Sequence, residues 1–264
     1  TLRSRGLGDV YKRQVLILWL ISNIFGFSIR SVSPEETKPT EINTELEISV
    51  KASNQTPTNE TTSTINNNEP LQTNYYSEVY EYDINTLLIN ISNLEINNNS
   101  IFVGGYDRDE FGGWIDVDND CQNTRAEILI ERSEEEVFFR SFNNCVVDSG
   151  YWYDPYTDRH YSLAEDVQID HFVPLKNAYI SGAHEWSEDR KKEYSTYTLY
   201  EYHLIPVYGP SNQKKGAKGP EDWLPENTDF HCAYINIWVE IKLFWELTVT
   251  QEEFGAIEAV SKNC

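Results

Sequence analysis

The sequence predicts an α+β fold for residues 79–264, with short strands and helices mixed along the chain. Short apolar runs between turn residues indicate the strands, and a longer apolar stripe near the C terminus indicates a helix. All four cysteines, at 121, 145, 232 and 264, lie in this region. An even number of cysteines in an exported chain favours disulfides, although spacing alone leaves their connectivity open.

Residues 1–78 are expected to lie outside this fold. Residues 9–14 read DVYKRQ, the translation of a transposon end used in sequencing-library preparation, so residues 1–14 are expected to be an assembly artefact. The apolar run over 15–28 is shorter than the roughly 20 residues of a membrane span, which favours a signal-peptide core; an uncleaved N-terminal anchor is the alternative. Residues 29–78, rich in Thr, Asn and Ser, are expected to form a disordered linker.

The first predicted elements precede residue 150. Residues 87–96 are densely apolar and fit either a helix or a strand. Glycine pairs at 104–105 and 112–113 indicate turns. Residues 124–132 are predicted to form a helix, with Thr124 as a cap and Glu127 three residues on. The β-branched and aromatic runs at 137–142 and 145–147 predict strands.

The remaining elements follow residue 166. The alternation over 167–175 predicts a strand, with a short helix over 176–183. Residues 203–208 predict another strand, where Pro206 indicates an edge or a distortion. The stripe over 234–245 predicts a helix, and Thr250 with Glu253 begins a last one.

Asp170 and His171 form the leading candidate site. They lie in an apolar frame, where two adjacent polar groups are costly unless they have partners. A buried structural Asp–His hydrogen bond is the alternative without chemistry. Further along, a second strand leads into Asn212, and this layout lets the Asp170 carboxylate and the Asn212 amide oxygen meet on a divalent cation. The His171 imidazole could then take a proton from water, as phosphodiester hydrolysis requires. A turn asparagine is the alternative for Asn212.

Five longer stretches carry a family resemblance. They are YDRDEFGGWIDVDNDCQNTRAEIL from Tyr106, GYWYDPYT from Gly150, VQIDHFVPLKNAYISGAHEWSEDR from Val167, LIPVYGPSNQKKGAKGPEDWLP from Leu204, and the tail from Cys232 to Cys264. In this order they resemble the secreted HNH endonuclease family, relatives of the C-terminal nuclease domain of a modification-dependent restriction enzyme. The resemblance covers roughly residues 79–264.

The resemblance implies a ββα-metal core of the HNH, or His-Me finger, type, elaborated with extra helices and two disulfides. It implies His171 as general base, Asp170 as metal ligand, and Asn212 as second ligand or as the group that orients His171. The cofactor would be a divalent cation, with Mg²⁺ favoured over Mn²⁺ or Ca²⁺. It also implies the pairs Cys121–Cys145 and Cys232–Cys264.

Phosphate contacts are expected from three basic residues. Lys215 and Arg125 match a family lysine and arginine. Lys214 belongs, with Lys215 and Lys218, to the one basic cluster close to the candidate site in the sequence. A solvated loop is the alternative for this cluster.

The sequence also departs from the family pattern. Ala217-Lys218-Gly219-Pro220 replaces the frequent Asp-Arg-Asp-Pro, so two acidic positions are lost. The third position that gives HNH enzymes their name has no histidine, which leaves the second metal ligand open.

A calcium-loop pattern needs separate consideration. Asp116, Asp118, Asp120 and Glu127 occupy loop positions 1, 3, 5 and 12. Position 6, which needs glycine for its turn, is Cys121, and we expect cysteine to be poorly suited to that backbone. A true EF-hand loop is therefore not expected, and a looser calcium-binding role stays open.

The net charge of −22 opposes nucleic-acid binding by bulk attraction. The candidate site residues nevertheless occur in the order that the family has, which favours a secreted, metal-dependent endonuclease. Its partner would be nucleic acid, with DNA favoured over RNA. No stable protein partner is expected. Contact with a membrane is expected only through an N-terminal anchor. The alternative is a catalytically degenerate, stalked extracellular module that holds calcium and a partner.

Overall fold

A computed structural model of the protein describes residues 82–264. The predictions for residues 1–14, 15–28 and 29–78 fall outside these residues. The described residues all belong to one unit of the chain, Asn67–Cys264. Within residues 82–264, no helix is both long and apolar enough to cross a membrane.

The described residues form an α+β fold, as predicted. The helices are α1 Ile84–Ser92, α2 Thr124–Glu131, α3 Leu175–Ile180, α4 Glu188–Ser195, α5 Gly209–Lys215, α6 His231–Phe244 and α7 Gln251–Ser261. The strands are β1 Phe138–Phe139, β2 Val147–Asp154, β3 Arg159–Leu163, β4 Val167–His171 and β5 Leu204–Tyr208. Short 3₁₀ segments lie at Asn98–Phe102, Arg108–Phe111, Ala183–Glu185 and Thr228–Phe230.

Strands β1, β2 and β3 form an antiparallel sheet in that order. β2 and β3 make a hairpin in which Tyr153 pairs with His160. The Asp154 carboxylate closes the turn, because it accepts hydrogen bonds from the Tyr156 amide and the Thr157 hydroxyl. This turn holds Tyr156 in the core, where it reaches the candidate site.

Strands β4 and β5 form a second antiparallel sheet, and α5 follows β5 directly. Asp170 pairs with Ile205, and His171 pairs with Leu204. Pro206 lies opposite Ile169 within β5. A two-stranded sheet has only edge strands, so Pro206 is tolerated there, in agreement with the prediction.

Alternation along β4 separates the core from the site. Val167 and Ile169 pack in a small cluster with Trp152 and Leu204. Because side chains alternate along a strand, Gln168 and Asp170 lie on the face of β4 opposite to Val167 and Ile169. Beyond the strand, Phe172 enters the main aromatic core. β4 therefore anchors its polar residues between two apolar clusters.

Two disulfides staple the fold. Cys121 pairs with Cys145, and Cys232 pairs with Cys264, which confirms the connectivity implied by the family resemblance. The first joins the loop before α2 to the segment before β2. The second joins the first turn of α6 to the chain end after α7.

Several element boundaries differ from the predictions. Residues 87–96 are helical only to Ser92, and α1 begins earlier because Asp83 caps it. Asn123 caps α2 instead of Thr124, since the Asn123 side chain accepts the Ala126 amide hydrogen bond. The predicted strand over 167–175 ends at His171, and α3 begins at Leu175 after Pro174. Of the strand predicted over 145–147, only Val147 belongs to β2, which runs on to Asp154, and β3 was missed.

Candidate active site

A cleft of about 320 Å³ opens beside β4 and α5. A water molecule occupies about 30 Å³ in the liquid, so the cleft could hold a hydrated cation and a phosphate group. Asp170, His171 and Asn212 all line this cleft, so the three residues predicted for catalysis lie together. Its other lining residues are Tyr106, Arg108, Gln168, Ile169, Pro174, Leu175, Lys176, Gln213, Gly216 and Ala217.

The His171 ring is held by its Nε2 atom. Nε2 lies 2.9 Å from the carbonyl oxygen of Ser195, at the end of α4. A carbonyl oxygen can only accept, so Nε2 carries the proton and Nδ1 has the lone pair. The ring also stacks on Trp114, with centroids 5.3 Å apart and planes 5° from parallel.

Comparison with His203 shows that the His171 Nδ1 atom is not enclosed. Both rings are buried, and in both the Nε2 atom is hydrogen-bonded to a backbone carbonyl oxygen. Among the described residues, the Nδ1 of His203 is a buried atom without a partner, whereas the Nδ1 of His171 is not in that group. His171 makes no further hydrogen bond within the described residues, and it lines the cleft, so its Nδ1 is an unpartnered atom that is not shut off from solvent.

The electrostatics keep the His171 ring neutral. Burial lowers the pKa of His171 to about 3, and the neighbouring His203 and Arg108 act in the same direction. The neutral ring keeps a lone pair that can accept a proton, although a pKa this far below neutrality makes it a weaker base than a group that titrates near neutral pH.

Asp170 is buried and fixed through one oxygen. Its Oδ2 accepts hydrogen bonds from the Tyr156 hydroxyl at 2.7 Å and from the Lys215 ammonium. Its Oδ1 has no hydrogen-bond partner among residues 82–264, so this oxygen is available on the cleft side.

Asn212 lies on α5, and its side-chain Nδ2 donates to the Oε1 of Gln168 on β4 at 3.1 Å. The Asn212 Oδ1 accepts no hydrogen bond within residues 82–264, and the residue lines the cleft, so this oxygen has no protein partner to compete with a ligand. A carboxylate oxygen and an amide oxygen are ligands that Mg²⁺, Mn²⁺ and Ca²⁺ accept, with water and phosphate oxygens completing the shell. The donor set therefore fits a hard divalent cation.

The three basic residues predicted to bind phosphate lie in different surroundings. Lys215 is fully buried, and its ammonium donates to Asp170 and to the carbonyl oxygens of His171 and Phe172. Its three protons are used inside the protein, so Lys215 supports Asp170 and is not free for phosphate. Arg125 donates to the carbonyl oxygens of Ala164 and Val167. Lys214 is exposed but does not line the cleft.

Sequence reasoning missed three groups at the site. Arg108 and Lys176 line the cleft with exposed side chains, and Tyr156 hydrogen-bonds Asp170. Arg108 and Tyr156 lie within the stretches that carry the family resemblance, so each could have been nominated there. Lys176 lies in the stretch from Val167, five residues after His171, so the same signal was present for it.

The acidic loop before α2 contains three acidic residues of the calcium-loop pattern. Asp116, Asp118 and Asp120 bring carboxylate oxygens within 4.8 Å of one another. Cys121 takes a left-handed backbone with φ 74°, and its amide donates to Asp116. Cys121 therefore adopts the positive φ that glycine takes at this loop position, although a residue with a Cβ is less favoured there. Exposed carboxylates alone do not identify a bound ion.

Comparison with known proteins identifies the family. Residues 123–257 match the family described as GmrSD restriction endonucleases, C-terminal domain. The chain belongs to this family. The GmrSD-type segment begins at the cap of α2 and contains Asp170, His171 and Asn212, whereas Arg108 and Trp114 precede it. The predicted kinship with a restriction-enzyme nuclease domain is thus confirmed.

One relative of this GmrSD-type chain is an uncharacterized secreted protein of Arthroderma benhamiae. It is 36% identical over 160 residues, which cover 61% of this chain and 76% of the relative. No solved structure matches the chain.

Proposed function

We propose that this chain is a secreted endonuclease that uses a divalent cation to hydrolyse the phosphodiester bonds of nucleic acid. DNA is the proposed main substrate, and RNA is a further candidate. The observation that supports this most is His171: its Nε2 is held by the Ser195 carbonyl, its Nδ1 has no partner within the described residues, and it lines one cleft with Asp170 and Asn212. The match to GmrSD restriction endonucleases supports the same reaction class.

In the proposed mechanism, His171 is the general base. Its neutral Nδ1 takes a proton from a water molecule, whose oxygen then attacks phosphorus while the opposite P–O bond breaks. The leaving oxygen takes a proton from a second water molecule, and the imidazolium later returns its proton to solvent. The Ser195 carbonyl holds the ring in the correct tautomer and stabilises the imidazolium that forms. Stacking on Trp114 fixes the ring plane.

Asp170 and Asn212 are the proposed metal ligands, through Oδ1 of each. When bound, Mg²⁺ would neutralise phosphate charge and stabilise the leaving oxygen. Tyr156 and Lys215 fix the Asp170 carboxylate, and Gln168 fixes the Asn212 amide. These supporting contacts orient the ligands before the ion arrives. Residues 217–220 lack the two acidic residues that the family often has there. Water and phosphate oxygens would therefore complete the coordination shell of the cation.

Export is part of the proposal. The Arthroderma benhamiae relative is described as secreted. Both disulfides of this chain fit an oxidising compartment, since thiols remain reduced in most cytosols.

The test is cleavage of plasmid DNA and of RNA by protein made in an oxidising compartment. We expect cleavage with Mg²⁺ or Mn²⁺ and none in EDTA. Asn212→Ala should need at least about tenfold more Mg²⁺ for half-maximal rate, because a lost ligand or its support weakens metal binding. Ser211→Ala, on the same helix but outside the cleft lining, should match the wild type.

Absence of cleavage by folded wild-type protein, across metals and with both nucleic acids, would contradict the enzyme. It would favour the alternative, a degenerate binding module whose acidic loop at Asp116–Asp120 holds calcium.

A further inference from the structure

A second, smaller cleft of about 180 Å³ lies next to the candidate active site. Its lining residues are Arg108, Gly112, Gly113, Trp114, His171, Leu175 and Ser195. Arg108, His171 and Leu175 line both clefts, so the two spaces meet at the proposed base. A ligand whose phosphate reaches His171 therefore has this second space beside it.

Arg108 lies at the junction of the two clefts, where its guanidinium donates a hydrogen bond to the Tyr106 side chain. Its side chain is exposed, and within residues 82–264 it forms no salt bridge with a carboxylate. It lines both clefts together with His171, which places its charge on the same walls as that ring. Arg125 and Lys215, by contrast, are occupied by internal hydrogen bonds. A planar guanidinium suits the oxygens of a phosphate.

The walls of the smaller cleft suit a flat, partly apolar group. Trp114 and Leu175 supply apolar surface, and Gly112 and Gly113 supply backbone without side chains. A Cβ placed on Gly113 would meet no atom within 4 Å, so the missing side chain leaves open space. The hydroxyl of Ser195 donates to the Phe111 carbonyl and is already engaged.

We propose that the smaller cleft is the subsite for the nucleotide next to the scissile phosphate. Its base lies against Trp114, and Arg108 holds the phosphate between the two clefts. The inference rests on the proposed nuclease function and adds to it a substrate requirement: a base beside the cleaved bond. Bases stack on aromatic side chains with little sequence preference, so the subsite would favour any nucleotide over an abasic one.

The test uses oligonucleotides with a single cleavable phosphodiester, in the single- or double-stranded form that the wild type cleaves. The nucleotide on either side of that bond is normal or abasic. Gly113→Val fills the smaller cleft, and Gly104→Val is its control, since Gly104 also has open space but lines neither cleft. Arg108→Gln removes the phosphate contact, and Arg159→Gln, exposed on β3, is its control.

For the wild type and both controls, we expect an abasic position on one side to lower kcat/KM about tenfold or more, as loss of base stacking should. Gly113→Val should lose this preference and cleave the abasic substrate nearly as well as the wild type. Arg108→Gln should be slower on both substrates. In EDTA, its binding of a labelled oligonucleotide should show a salt slope smaller by about one, the sign of a lost phosphate contact.

Equal cleavage of normal and abasic substrates by the wild type would overturn the subsite and leave the nuclease intact. Unchanged kinetics and salt slope in Arg108→Gln would overturn the phosphate contact. A wild type that cleaves no substrate would overturn the proposed function, and this inference with it.

Discussion

Lys215 illustrates how a single buried charge organises the site. Burial lowers the pKa of Lys215, while the neighbouring Asp170 carboxylate opposes that change. The ammonium also donates to the carbonyl oxygens of His171 and Phe172, so all of its protons are used. This arrangement occupies Oδ2 of Asp170 and leaves Oδ1 for the cleft.

Replacing Lys215 with methionine should therefore destabilise the protein. Breaking a buried ion pair by removing one partner costs about 3–5 kcal/mol, because an uncompensated charge remains. Urea unfolding of Lys215→Met should give a loss of that size in the free energy of unfolding. Lys214→Met, the exposed neighbour, should change it little. Equal stability of the two variants would contradict the structural role of Lys215.

The sequence predicted the identity of the site residues better than their contacts. Asp170, His171 and Asn212 line one cleft as expected, because a strand pair and a following helix bring them together. Lys215 was expected to contact phosphate because it matches a family lysine, whereas its ammonium is fully buried and donates to Asp170. In α5, however, Lys215 lies three residues after Asn212 and shares its face, so both reach β4 while Lys214 does not.

At the scale of elements, β4 and β5 were predictable because they carry clear apolar patterns. The segment that forms α5 is polar throughout, so the sequence indicated only that a strand leads into Asn212. The β2–β3 hairpin was missed in part, since its aromatic and polar residues do not alternate simply and its turn uses Asp158 at φ 55°. Helix ends were misplaced by one or a few residues where a side-chain cap decides them, as Asn123 does for α2.

The Cys232–Cys264 disulfide should contribute substantially to the packing of α6 and α7. It closes a segment of 32 residues and restrains the chain end after α7. Replacing both cysteines with alanine should cost about 2–5 kcal/mol and lower the Tm, since cross-links restrict the unfolded chain. Calorimetry of the double variant measures this. An unchanged Tm, together with two reactive thiols in the native wild type, would contradict the pairing.

At the scale of the whole molecule, the net charge of −22 repels nucleic acid, and this repulsion could be predicted from the sequence. The sequence could not show how the cations are distributed. Arg108 and Lys176 stand on the cleft with exposed side chains, whereas Arg125 and Lys215 are engaged internally. A local basic edge at the cleft, together with a bound cation, would offset the acidic surface where the substrate must lie.

The identity of the proposed base can be tested by chemical rescue. In single-turnover DNA cleavage with saturating Mg²⁺, His171→Ala should be about 10²–10⁴-fold slower than the wild type, as expected when a general base is lost. Added imidazole should restore part of that rate, because it can enter the vacated space and accept the proton. His160→Ala, a histidine on β3 outside both clefts, should keep the wild-type rate and ignore imidazole. A folded His171→Ala protein that cleaves at the wild-type rate would contradict the account.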